Sequence, residues 1–175
     1  LVDTMPTHLR SYRAVGEKYG FHFPEDLFYK KAGLPTVQVF EILMNELKLE
    51  HVPFMLTKEK EELFLTMLHE VAPLKIVADI AIANFGKLPM ALGTGGTREV
   101  ATKTVAAAGL TNYFDIVVTS EDVENPKPAP DTFLLCAEKM GIDPQYCQVF
   151  EDGDPGLIAA KTAGMIATDI RPFLT

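Results

Sequence analysis

Apolar residues recur three and four positions apart through the first half of the chain and gather into short runs through the second. Leu9, Tyr12, Val15 and Tyr19 share one helical face, and Gly20 stops that segment. Comparable periodic stretches cover residues 37–47 and 58–69, and a further one begins near Leu74. This spacing predicts a helical half that reaches to about Phe85 and carries few strand signals. From Leu88 the texture alternates. "LPMALG" (88–93) reads as a buried strand, "TREVATKTVAAAGL" (97–110) as a helix with Gly109 near its end, and "FDIVVTS" (114–120) as a second strand. "PDTFLLCAEKMG" (130–141) reads as a helix opened by Pro130 and stopped by Gly141. "CQVF" (147–150), "DPGLIAAKTAG" (154–164) and "MIATDI" (165–170) continue the series as strand, helix and strand.

Strands alternating with helices of this length predict an α/β fold, a Rossmann-like parallel sheet with helices on both faces. No Pro/Gly/Ser linker separates the halves, so the helical half is expected to pack close to the α/β half. In open parallel sheets ligands bind beyond the carboxyl ends of the strands. That rule singles out three loops: residues 93–97, 120–128 and 151–156.

Composition narrows the function classes. A chain of 175 residues supports one good core and a small appendage. With 47% hydrophobic and 23% charged residues it reads as a soluble globular protein. A net charge of −8 argues against nucleic acid or an anionic membrane as the main partner. The longest apolar run, "IVADIAIANF" (76–85), is interrupted by Asp79 and is too short to span a bilayer. No signal-peptide pattern opens the chain. Cys136 and Cys147 sit in apolar company without metal spacing and read as reduced core cysteines. The expected setting is cytoplasmic, or the soluble interior of an organelle, and the expected state is a monomer.

The chemistry gathers in the three loops. In "VFEDGDPG" (149–156) an apolar run ends in Glu151, Asp152 and Asp154, whose like charges repel unless a cation neutralises them. Hard carboxylate oxygens at a strand end suit Mg²⁺, so Glu151 and Asp152 are candidate metal ligands. Asp154 precedes Pro155 and fits a helix N-cap. "GTGGT" (93–97) opens a helix, where backbone N–H groups bind anions. Gly95 and Gly96 allow close approach, Thr94 adds a hydroxyl and Arg98 a charge. It is not a P-loop, because no Gly-Lys-Ser/Thr closes it. "NPKPAP" (125–130) holds Lys127 between two prolines that fix where its ammonium projects. A hydroxyl, a cation and a Mg²⁺ site at three successive strand ends suggest phosphate chemistry.

The strings "MALGTGG" (90–96), "NPKPAPDTFLLCAEKMG" (125–141) and "VFEDGDPGLIAAKTAGM" (149–165), in that order, resemble motifs two, three and four of the haloacid dehalogenase superfamily. The resemblance is to its β-phosphoglucomutase-like branch, and within that to small fructose-1-phosphate phosphatase-type enzymes. It implies that Thr94 binds the transferred phosphoryl group, that Lys127 stabilises that group and the nucleophile, and that Glu151 and Asp152 hold Mg²⁺. It divides the chain into the tail of the first core motif (1–4), a helical cap (5–72) and an α/β core (73–175). His8 falls where this branch often has a hinge histidine, and "KKAGLPT" (30–36) resembles its substrate-facing loop. The mutase grips a second phosphate with an Arg where this chain has Thr36.

One motif departs from the family. Its first strand ends Asp-x-Asp-Gly-Thr-Leu-x-Asp-Thr, and "LVDTMPTH" matches only the tail, with Asp3 and Thr4 in the last two positions. The expectation is that residues upstream of Leu1 carry the nucleophile, and that without this strand the sheet has a gap in its middle. The resemblance therefore implies a Mg²⁺-dependent phosphatase of small phosphorylated metabolites, sugar phosphates in particular, acting through an aspartyl phosphate. A phosphosugar mutase on the same scaffold and a catalytically inactive structural or binding subunit are the alternatives.

Overall fold

The computed structural model describes residues 1–174. Helix α1 (Met5–Tyr19) carries the first apolar stripe and ends where Gly20 takes the left-handed conformation at φ 76°. Its Leu9, Tyr12 and Val15 turn inward against α3 (Thr36–Leu47) and α4 (Pro53–Thr66). α4 starts earlier than its periodicity suggests because Pro53 fits a first helical turn, where its missing N–H costs nothing. A short α2 (Glu25–Lys30) gave no periodic signal at that length. Aromatic side chains fill the space between these helices. Tyr12 stacks on Phe23 with centroids 4.4 Å apart and meets Phe40 at 5.1 Å.

Two residues on each side tie the ends of this helical excursion together. β1 (Val2–Asp3) pairs antiparallel with β2 (Ala72–Pro73), Val2 opposite Pro73 and Asp3 opposite Ala72. α5 (Lys75–Asn84) then leads into the alternating half. There β3 (Ala91–Gly93) pairs parallel with β4 (Ile116–Val118), and β5 (Gln148–Glu151) pairs parallel with β6 (Ile166–Asp169). α6 (Arg98–Ala107) follows β3, α7 (Asp131–Met140) packs on the first pair and α8 (Asp154–Thr162) on the second. Phe133, Ala137, Ala159 and Ala160 join α7 and α8 in a second apolar cluster.

Among the described residues no strand joins β3 to β5, so the parallel layer consists of two pairs. The split lies where the first-motif strand was expected to leave a gap. The space between the two edges belongs to a cavity of about 810 Å³, walled there by Ala91, Leu92, Val149 and Phe150. Asp154 differs from its expectation by one residue. Gly153 is the N-cap and Asp154 the first helical residue, because Pro155 sits one position further in; its carboxylate pairs with Arg171 at 2.8 Å. Cys136 and Cys147 are buried and unpaired, and burial pushes the Cys136 thiol up to about 11. No helix among the described residues is long and apolar enough to cross a membrane.

Phe40 is wholly buried at the centre of the aromatic cluster. Phe40→Ala is expected to cost about 3–5 kcal/mol of stability. Urea denaturation should show a lowered midpoint at unchanged slope.

Candidate active site

Lys127 is one of two lysines almost wholly buried among the described residues. It is 2% exposed, yet its side chain ends in a complete set of partners. Its Nζ forms an ion pair with Glu151 Oε1 and donates to the carbonyl of Gly93 at 3.1 Å. The ammonium also sits 4.5 Å from the Phe133 ring centroid. The prolines of "NPKPAP" set this direction, with the Lys127–Pro128 peptide in the cis form. Glu151 ends β5, and its other oxygen accepts from the backbone N–H groups of Asp152 at 3.1 Å and Gly153 at 3.3 Å. Burial works to raise the Glu151 carboxyl. The Lys127 charge and hydrogen bond, with the two N–H donors, outweigh it and hold the group below its usual range.

Asp152 goes the other way. Burial raises its carboxyl first, and the charge of Glu151 raises it further. A half-buried carboxylate in that position is relieved by a cation. Among the described residues no three His, Cys, Asp or Glu side chains cluster closely enough to hold a metal by themselves. Mg²⁺ ordinarily takes only one or two carboxylates, completing its shell with water and substrate phosphate. Asp152 with the one lone-pair site left on Glu151 fits that donor set.

The glycine-rich loop after β3 faces the same cavity. The N–H of Thr94 donates to Val118 at 2.9 Å, and its hydroxyl oxygen accepts from the Gly96 N–H at 3.1 Å. The hydroxyl keeps its own proton to donate. Thr94, Gly95, Gly96, Lys127, Glu151 and Asp152 all line one cavity, as do His8 and Thr36 from the helical half. Arg98 is not among them. Its guanidinium pairs with Asp122, at 2.5 Å for the nearer oxygen, and its backbone N–H donates to Glu121 at 2.7 Å. The expected phosphate role of Arg98 is thus replaced by an exposed ion pair on the outer face of α6.

The helical half closes directly onto two of these loops. A Cβ on Gly95 would overlap the carbonyl of Gly33, and one on Gly153 would lie 2.5 Å from the carbonyl of Ala32. The backbone of the "KKAGLPT" loop therefore rests on the glycine-rich loop after β3 and the acid loop after β5 at once, where only glycine leaves room.

Sequence reading missed a buried pair of basic side chains in the helical half. Lys60 on α4 is 2% exposed and its Nζ lies 2.7 Å from His8 Nδ1. The His8 ring stacks on Phe64 at 3.9 Å, and Lys60 also lies 4.8 Å from the Tyr12 ring. His8 is therefore neither a solvent-facing residue nor alone. Lys60 sits in a run of alternating charges, "TKEKEE", which reads as a solvated face. Its place three residues before the inward-facing Leu63 and four before Phe64 was the available signal.

This geometry is accompanied by similarity along nearly the whole chain. The sequence pattern described as haloacid dehalogenase-like hydrolase matches residues 1–169. The chain belongs to that family. It is 41% identical over 172 residues to the fructose-1-phosphate phosphatase YqaB of Escherichia coli K12, covering 98% of this chain and 91% of that one. It is 32% identical over 169 residues to a phosphorylated carbohydrates phosphatase of Thermotoga maritima, covering 94% of this chain and 77% of that one. A solved haloacid dehalogenase hydrolase, family IA, variant 3, from Entamoeba histolytica superposes with TM-score 0.82 at 25% identity, covering 100% of this chain and 81% of that one.

As a haloacid dehalogenase-like hydrolase of acidic composition, the chain nevertheless buries two bases without a carboxylate between them. Burial lowers Lys60 to about 7, and burial followed by the Lys60 charge lowers His8 well below its ordinary 6.5. Between about pH 7 and 10.5 the unfolded chain holds a proton on Lys60 that the folded chain lacks. Folded stability accordingly rises with pH across that window, by up to about 1.4 kcal/mol per unit. His8 acts with the same sign only below pH 6.5. Lys60→Met is expected to remove the slope above pH 7, which urea denaturation at pH 7, 8.5 and 10 would measure.

Proposed function

We propose that this chain is a Mg²⁺-dependent phosphatase of small sugar phosphates, built from a helical cap over residues 5–72 and an α/β core over residues 73–175. The observation that carries the reading is the Lys127–Glu151 pair held at the strand ends beside Thr94 and Asp152, in one cavity. The names of the two relatives above support the substrate class, since both refer to phosphorylated sugars.

Each residue has a chemical task in this reading. The Thr94 hydroxyl and the N–H groups around Gly95 and Gly96 receive the phosphoryl oxygens at the start of α6. Lys127 offers a fixed positive charge that needs no reorganisation as negative charge shifts during transfer. Asp152 and Glu151 hold Mg²⁺, which when bound neutralises phosphoryl oxygens. Glu151 also fixes Lys127, and the N–H groups of Asp152 and Gly153 fix Glu151. We place the attacking carboxylate in the slot between β3 and β5, where the family's first-motif Asp belongs. The loop over Gly95 and Gly153 covers the reacting group and excludes water from the transfer step. Thr36 offers a hydroxyl rather than a second phosphate grip, which favours hydrolysis over mutase chemistry.

Phosphate release from a panel of hexose and pentose monophosphates tests the reading. Asp152→Asn is expected to lower kcat by about 10²-fold or more. It should also weaken Mg²⁺ binding measured calorimetrically without substrate. A wild-type protein inactive on the whole panel, or an Asp152→Asn variant with unchanged turnover, overturns the proposal.

Lys127→Ala has a second effect that its loop position alone conceals. It strands the Glu151 carboxylate in the interior, at an expected cost of about 3–5 kcal/mol in stability. The double variant Lys127→Met/Glu151→Gln should recover much of that stability but none of the activity. Paired thermal melts and phosphate-release assays would separate the two roles.

A further inference from the structure

The wall of the cavity opposite the phosphate loop carries a carboxylate that phosphoryl transfer does not use. Glu61 lies on α4 beside Lys60 and faces the cavity that Thr94 and Gly95 also line. Its Oε2 accepts a hydrogen bond from Thr97 Oγ1 at 3.3 Å, and Thr36 lines the same cavity. Among the described residues it forms no salt bridge, and the neighbouring Lys60 ammonium is turned to His8. Burial raises the Glu61 carboxyl, while the Lys60 charge and the Thr97 hydroxyl pull it back.

A hydroxyl is therefore what this carboxylate holds. A carboxylate offers about four lone-pair sites, of which Thr97 takes one. It accepts and cannot donate. Its position fixes what can reach it. Thr97 closes the loop that Thr94 opens, so a phosphate on Thr94 and Lys127 leaves the rest of a small ester against Thr36 and Glu61. A carbon chain bearing hydroxyls would satisfy the remaining lone pairs. A chain without them would displace water and leave a half-buried acceptor unpaired, which is costly.

We propose that Glu61 determines specificity by accepting hydrogen bonds from the hydroxyls of the substrate's sugar, so that the cap selects polyhydroxylated monophosphates over hydroxyl-free ones. This rests on the phosphatase reading above and adds the residue that reads the leaving group. A latch between cap and core through Thr97 is the competing role for the same hydrogen bond.

The test compares fructose 1-phosphate with ethyl phosphate, which has no hydroxyl on its alkyl group, in wild type, Glu61→Gln and Glu61→Ala. For Glu61→Ala, kcat/KM on fructose 1-phosphate is expected to fall about 10- to 100-fold, while ethyl phosphate changes by less than about threefold. Glu61→Gln keeps one acceptor oxygen and should lose less. Equal losses on both substrates assign Glu61 to latching and overturn the proposal, as does an unchanged ratio. Calorimetric binding of the same two esters provides a second measurement that needs no turnover. Wild type that hydrolyses ethyl phosphate while the variants keep its selectivity sinks the Glu61 assignment alone. Wild type that neither binds nor hydrolyses either ester sinks the phosphatase reading, and the assignment with it.

Discussion

The buried ion pair between Lys127 and Glu151 is the contact on which the core's geometry depends. The two parallel pairs, β3–β4 and β5–β6, share no ladder among the described residues. Lys127 reaches across, donating to the Gly93 carbonyl at the end of β3 while pairing with Glu151 at the end of β5. One ammonium thus sets the spacing between the glycine-rich loop after β3 and the acid loop after β5. Such a pair is retained at the expense of desolvation, and an apolar substitute of equal volume would often be as stable. Its persistence here is best explained by the charge it fixes at the strand ends.

The helical half repeats this arrangement with different chemistry. Lys60 is as buried as Lys127 but finds an imidazole instead of a carboxylate. Burial makes its ammonium costly and the nearby Glu61 charge offsets only part of that, which is why it falls to about 7. The adjacent Glu61 accepts from the Thr97 hydroxyl of the α/β half. The cavity therefore has a cationic floor at the strand ends, with Lys127, and a hydroxyl-and-carboxylate wall in the helical half, with Thr36 and Glu61. The glycines at 95 and 153 let the two surfaces meet backbone to backbone.

Much of this was legible in the sequence, for identifiable reasons. α1 and α7 have clear apolar stripes and glycine stops, and Gly20 and Gly141 cap them in left-handed conformations. The alternation from Leu88 onward gave every strand of the parallel pairs to within a few residues. The three loops could be chosen because parallel strands present their carboxyl ends on one side. What stayed hidden depended on side-chain direction. Arg98 stands at the phosphate loop in sequence, but its position on α6 turns it outward to Asp122. Lys60 and Glu61 lie in a charged run whose bulk is solvated, and only the inward face of α4 distinguishes them. The β1–β2 pair is two residues long, below the length at which a period can be read.

Glu151 and Asp152 show how environment, not residue type, divides the labour. They are adjacent, similarly acidic and both drawn out of water. Glu151 meets Lys127 and two N–H donors and is held ionised. Asp152 receives no comparable set, feels its neighbour's charge, and is raised. The acid that the protein neutralises fixes Lys127 at the strand ends and keeps one lone-pair site unused. The acid left short of positive charge is the one a cation would relieve more, so in the proposed reading Asp152 is the stronger Mg²⁺ ligand of the two.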